Sequence, residues 1–269
     1  MRFSPKFFLL QPLVLIAITI ISQIALADDV LFIGNSFTHG HDGRVKDHGG
    51  VPAIFQAIAV GKGKETSVTM AAVSGKDWTF HLASEETTAT IASKVWDKVV
   101  IQDFSSKPTR TGNRENFFRS GEALAELIWA TSPEAEIILY RTWARKPGHS
   151  WYQDGDRLAP FRDFNDMDVE LEVSYRALQA LLTGKNPGKS VRIARVGDAV
   201  SLCVRETPGI DLYDADLHHL NPVGSYLSAL VFYATVFQES PEGAVREFPA
   251  FEVDAETANH LQEIAGKFR

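Results

Sequence analysis

Residues 29–43 read DVLFIGNSFTHGHDG. Val30-Leu31-Phe32-Ile33 is a short apolar run of the length and composition of a buried β-strand, and Gly34-Asn35-Ser36 ends it. Runs of the same kind recur at Val68–Val73, Lys98–Gln102, Glu136–Tyr140 and Val191–Val196. Between them, helical periodicity covers about 51–62, 114–130 and 165–183, with further helices over about 222–238 and 255–268. Strands alternating with helices predict an α/β domain built on a mostly parallel sheet, helices on both faces, joined by right-handed crossovers. Trp143–Asp156, WARKPGHSWYQDGD, is polar and punctuated by Gly and Pro, and reads as a long functional loop. No repeat, low-complexity run or linker divides the chain.

A parallel sheet binds its ligands beyond the carboxyl ends of its strands. The residues to inspect are therefore Gly34-Asn35-Ser36, Ser74-Gly75-Lys76-Asp77, Gln102-Asp103-Phe104-Ser105, Arg141-Thr142-Trp143, and the segment Asp214–Asn221 ahead of the 222–238 helix.

The first 27 residues lie outside this pattern. Arg2 and Lys6 open the chain, Phe7–Ile24 is almost wholly apolar, and Ala25-Leu26-Ala27 has the small-residue form of a cleavage site. They are read as a secretory signal peptide cut before Asp28, the alternative being an uncleaved anchor helix. Cleavage leaves a single domain, residues 28–269, with 25 basic and 34 acidic side chains. A net charge of −9 excludes nucleic acid as a natural partner. A secreted or periplasmic location is expected, with no later membrane span. Cys203 is the sole cysteine, so no internal disulfide is available, and it reads as a packing residue.

A serine becomes a nucleophile only beside a base, and the base needs a group that fixes its tautomer. Asp216 and His219 stand three apart in a segment entering a helix at about Pro222, a spacing that lets the carboxylate reach Nδ1 while Nε2 faces Ser36. Asp214 and His218 form a second possible pair, at spacing four. Acyl transfer also needs donors for the developing oxyanion. The Ser36 and Gly75 N–H groups are two, and the nearest side-chain amide after the third strand is Gln102, with Ser105 as the fallback.

Gly34-Asn35-Ser36-Phe37-Thr38 resembles the first block of the SGNH (GDSL-type) hydrolases, and Asp216-Leu217-His218-His219 resembles their Asp-x-x-His block. Gly75 falls where the second block supplies its oxyanion glycine. The third block, Gly-x-Asn-Asp in that family, is here Ile101-Gln102-Asp103-Phe104-Ser105, which resembles a divergent bacterial subgroup. The resemblance implies a flavodoxin-like three-layer α/β/α sandwich with a five-stranded parallel sheet. It implies ester hydrolysis without cofactor or metal, with Ser36, Asp216 and His219 catalytic and Ser36, Gly75 and Gln102 around the oxyanion.

Other features are weighed against plainer roles. His39, His41, Asp42, Asp47 and His48 crowd one loop but match no metal template; a solvated or substrate-facing loop is expected. His81 reads as structural. Gly61-Lys62-Gly63-Lys64 lacks P-loop spacing and reads as a turn, and no Gly-x-Ser-x-Gly elbow is present. Trp78 and Trp143, with Trp151 and Tyr152, fall in predicted rim loops and are candidates for stacking on a sugar ring. Arg141, Arg145 and Lys146 either meet an anion or form a solvated face. The expectation is an exported serine esterase acting on a small-molecule or glycan O-acyl ester, acetyl on carbohydrate first. The rivals are a lipid or small-molecule esterase and a non-catalytic glycan-binding protein of the same fold.

Overall fold

The computed structural model describes Met1 and residues 28–153 and 158–269. The signal segment assigned to residues 1–27 therefore lies outside the described residues, apart from Met1. In chain order the elements are β1 (Asp28–Gly34), α1 (Ser36–His39), α2 (Gly43–Lys46), α3 (Gly50–Gly61), β2 (Thr66–Ala72), α4 (Trp78–Ala83), α5 (Glu85–Ala92) and β3 (Lys98–Ile101). There follow α6 (Arg114–Thr131), β4 (Glu136–Tyr140), α7 (Phe164–Lys185), β5 (Val191–Ala194), α8 (Val196–Glu206), α9 (Pro222–Phe237), a small hairpin of β6 (Glu247–Phe248) and β7 (Phe251–Glu252), and α10 (Ala255–Gly266).

Five strands pair in parallel in the order β2-β1-β3-β4-β5. Alternate residues of each strand point to opposite faces, so two cores form. Val30, Phe32, Val100, Ile138 and Tyr140 pack on one face with α3, α8, α9 and α10. Leu31, Ile33, Val99, Ile101, Ile137 and Leu139 pack on the other with residues of α4 to α7. The three-layer α/β/α sandwich expected from the sequence is the fold observed. Burial on both faces explains why these strands read as unbroken apolar runs rather than alternating ones.

Strand order reverses at β1, which has β2 on one side and β3 on the other. A crevice opens at such a switch point beyond the carboxyl ends. Ser36 follows β1 directly above it.

Five helices escaped the periodicity: the single turns α1 and α2, and the longer α4, α5 and α8. α4 and α5 carry β-branched and polar residues, and side-chain caps start them: Asp77 accepts from Phe80 N at 2.9 Å and Ser84 from Thr87 N at 3.2 Å. α8 begins at Val196, so the last strand stops two residues short of its expected end. Cys203 is a buried member of the α9-side core, and burial pushes its thiol up, as a packing residue requires. Among the described residues, no helix is long and apolar enough to cross a membrane.

Candidate active site

The turn after β1 is held from three sides. Gln102 Oε1 accepts from Asn35 N at 2.9 Å and from the Thr38 hydroxyl at 3.0 Å. His81 Nε2 lies 2.8 Å from Gly34 O, with Nδ1 3.0 Å from Thr87 Oγ1, so this buried histidine is structural as expected. Asn35 caps α1 by accepting from Phe37 N at 3.1 Å, and its amide donates to Lys76 O at 2.8 Å, tying the β1 turn to the β2 turn. Gly34 has no room for a side chain: a Cβ would sit 2.2 Å from Thr38 Oγ1 and 2.7 Å from Gln102 Oε1. Ser36 is thereby fixed as the first residue of a helical turn, where its N–H has no intrahelical acceptor.

The segment leading into α9 is equally constrained. Asn221 caps that helix through Gly224 N at 3.0 Å, and Asp214 N donates to His219 O at 2.8 Å, closing a tight loop. Leu217 sits at its apex with φ +61°, a left-handed conformation that costs a branched residue about 1 kcal/mol. This twist lets one carboxylate serve three donors. Asp216 Oδ1 accepts from His218 N (3.0 Å) and His219 N (2.9 Å), and Oδ2 lies 2.6 Å from His219 Nδ1. His219 Nε2 lies 2.8 Å from Ser36 Oγ. The structure thus brings Ser36, His219 and Asp216 into one hydrogen-bonded chain. The alternative pair does not form: Asp214 Oδ2 is 2.8 Å from His41 Nδ1, and His218 Nδ1 is 3.3 Å from Asp216 Oδ2.

Burial alone would raise the Asp216 carboxyl, but the His219 ring and the two backbone N–H groups hold it well below the usual carboxylate range. Burial lowers His219 below an ordinary imidazole, against the opposing pull of Asp216, with the nearby Arg145 guanidinium acting in the same direction as burial. His218 is lowered further, to about 4, by burial and by the charges of Arg145 and His219.

Gly75 follows β2 with φ +70°, and a Cβ there would meet nothing within 4 Å. The left-handed turn, not crowding, is what asks for glycine. Neighbouring Ser74 is held by His39 Nε2 at 2.9 Å. Among the described residues, neither the Ser36 nor the Gly75 N–H donates a hydrogen bond, so both are available to a ligand.

Three expected site residues are not there. Gln102 is fully buried with its amide committed: Oε1 takes the two bonds above and Nε2 donates to Asp103 O. It braces the nucleophile turn from below and is no free oxyanion donor. Trp78 is fully buried in the second core, stacked 5.1 Å from Phe117. Trp143 is 2% exposed, stacked on Phe37 at 4.3 Å, and donates to His218 O at 2.9 Å. Both tryptophans stabilise the frame rather than face a substrate. The aromatics that do line the adjoining cleft, of about 500 Å³, are Phe80 and Phe104, alongside Gly75, Lys76, Lys107 and Asn113. Phe104 escaped notice because a lone aromatic in a polar turn gives no periodic signal.

His41 also escaped assignment. Its ring lies parallel to that of His219, 4.3 Å away. His41, Asp216 and His219 each offer a ligand atom within 4.8 Å of the others. Stacked parallel rings do not aim their nitrogens at one point, and His219 already bonds Ser36 and Asp216, so this grouping is poorly shaped to hold a metal. Two other members of that loop are engaged: Asp42 pairs with Arg44 at 2.7 Å, and His39 Nδ1 lies 2.6 Å from Gly40 O.

No protein-family model matches the sequence, and no curated protein matches it. Solved structures do. The chain is similar to a DUF4886 family protein from Bacteroides uniformis ATCC 8492, at 14% identity and TM-score 0.63, covering 90% of this chain and 94% of that one. It is similar to a member of the lipolytic protein G-D-S-L family from Veillonella parvula DSM 2008, at 16% identity and TM-score 0.56, covering 79% and 100%. An acetyl xylan esterase matches at 17% identity and TM-score 0.53, covering 77% and 99%. The fold is the one these GDSL-type lipolytic hydrolases have.

Proposed function

We propose that this protein is a serine ester hydrolase in which Ser36 is the nucleophile, His219 the general base and acid, and Asp216 the group that orients and stabilises the imidazole. The observation that carries the reading is the unbroken chain Ser36 Oγ–His219 Nε2 (2.8 Å) and His219 Nδ1–Asp216 Oδ2 (2.6 Å) at the switch point of the sheet. Ser36 Oγ attacks the ester carbonyl as His219 Nε2 takes its proton. The Ser36 and Gly75 N–H groups receive the oxyanion. His219 returns the proton to the departing alkoxide, leaving an acyl-serine. Water, deprotonated by His219, then releases the acid and restores the serine. Asp216 stays ionised throughout.

An acetylated carbohydrate is the substrate class we favour. The cleft beside Gly75 offers two aromatic faces, Phe80 and Phe104, among polar and charged groups, which suits the C–H faces and hydroxyls of a sugar better than a long acyl chain. One structural neighbour is an acetyl xylan esterase. With the signal peptide read over residues 1–27, the enzyme would act outside the cytoplasm. A non-catalytic binding role is disfavoured because such a protein has no use for a complete, correctly spaced triad.

Acetate release from acetylated polysaccharides is expected with the wild-type protein and not with Ser36→Ala. Turnover confined to long-chain p-nitrophenyl esters, with no acetate released from any glycan, would favour a lipid substrate instead.

A further inference from the structure

Three cations follow β4, and their fates differ. Arg141 is buried but bonded to Asp168 at 2.7 Å. Lys146 pairs with Asp211 at 2.7 Å. Arg145 is only 6% exposed, yet no carboxylate of the described residues lies within ion-pair distance of its guanidinium. Its Nη2 donates to Ser105 Oγ at 3.2 Å, its Nε has no partner, and its flat face lies 4.7 Å from the Trp151 ring.

Arginine is almost never this buried unless paired, because removing a charge from water is costly without an opposing one. Here burial lowers the guanidinium to about 10, which still leaves it charged at neutral pH. Among the described residues, its immediate surroundings add no negative charge that is free to balance it. His149 and His218 are imidazoles, Tyr152 and Tyr213 are phenols, and Asp216 is committed to His219 and two backbone N–H groups. Among the described residues of this acidic protein, one internal cation is thus left without a balancing carboxylate.

The position of this cation is informative. Lys146 N donates to Leu217 O at 2.8 Å, and Trp143 Nε1 to His218 O at 2.9 Å, so the 143–146 segment is laced to the loop that carries Asp216 and His219. Ser105, the partner of Arg145, belongs to the turn after β3, on the other side of the switch point from Gly75. The guanidinium therefore stands between the loop that carries Asp216 and His219 and the β3 turn, whose Phe104 and Ser106 line the cleft beside Gly75.

We infer that Arg145 is the anchor for a carboxylate on the substrate, so that the preferred ester carries a negative charge close to the scissile bond. The inference rests on the ester-hydrolase reading above. A planar guanidinium with free N–H groups matches a carboxylate in charge and shape, and Trp151 limits the rotation of its plane. The carboxylate can belong to the alcohol, as in an O-acetylated uronic acid, or to the acyl group, as in a hemisuccinate ester.

The test compares matched esters that differ in that one charge: O-acetylated glucuronate against O-acetylated glucose, and mono-p-nitrophenyl succinate against p-nitrophenyl acetate. In one of these pairs, Arg145→Gln is expected to lower kcat/KM for the charged ester about 10- to 100-fold, mainly through KM, with the neutral ester changed less than about threefold. The pair affected identifies which side of the ester bears the charge. An equal loss on charged and neutral esters would overturn the inference, since the guanidinium would then serve the oxyanion or the fold. So would a wild-type enzyme indifferent to the charge. A measurement independent of turnover and of the Arg145 variant uses Ser36→Ala: glucuronate or succinate is expected to bind calorimetrically at least about tenfold tighter than glucuronamide or succinamide. Tighter binding without wild-type turnover of any ester would sink the hydrolase reading while leaving the carboxylate site standing.

Discussion

Replacing His219 by alanine is expected to cut kcat/KM for p-nitrophenyl acetate by a factor on the order of 10⁴ to 10⁶, because no other base is within reach of Ser36 Oγ in the hydrogen-bonded chain. Asp216→Asn should cost on the order of 10⁴. An asparagine can still accept the two backbone N–H bonds at one oxygen, but it offers an amide N–H where Nδ1 needs an acceptor, and this favours the wrong tautomer. The pH dependence has a definite sign. The base must be neutral to accept the serine proton, and burial lowers His219 below the ordinary imidazole value of about 6.5. The acid limb of kcat/KM should therefore lie below pH 6.5 in steady-state profiles, with activity full above it and lost as pH falls through the lowered pKa. An acid limb above pH 7 would mean that another group governs the step.

Gln102→Leu is the second large effect, and it is an effect on stability. The substitution keeps the volume but strands the Asn35 N–H and the Thr38 hydroxyl, both buried, and leaves Asp103 O without its donor. At about 1–3 kcal/mol for each of these three groups, and about 2–4 °C per kcal/mol in a domain of this size, the thermal midpoint should fall by at least about 6 °C in calorimetry. Were Gln102 instead an oxyanion donor, kcat would fall with the midpoint unchanged. That pattern would reverse the assignment made here.

These two residues also mark where sequence reading succeeded and where it ran out. All five strands were legible as short runs of strand-forming residues, the three central ones buried on both faces, and β4 was bounded to the residue. The three residues of the hydrogen-bonded chain were legible because the signal is mostly local: a serine just past a strand, and an aspartate three residues before a histidine ahead of a helix. What stayed hidden depends on distant segments meeting. Gln102 reaches a turn 67 residues away, and His41 an aspartate 173 away. Trp78 and Trp143 stand in segments that follow strands, where exposure was a fair expectation. The approach of Phe117 to one and Phe37 to the other buries them. Arg145 could be named from the sequence as a cation near the rim. Only the arrangement of Asp168 and Asp211 around its neighbours shows which of the three lacks a carboxylate partner among the described residues.

The central claim is that Ser36 is a nucleophile activated by His219. Incubating the folded protein with a fluorophosphonate and mapping the adduct by peptide mass spectrometry tests it most directly, since the reagent phosphonylates serines only where a base and an oxyanion site are assembled. The account predicts one adduct, on Ser36, formed at a rate that collapses in His219→Ala. An unlabelled Ser36 in a natively folded protein, or labelling that proceeds equally well without His219, would contradict it.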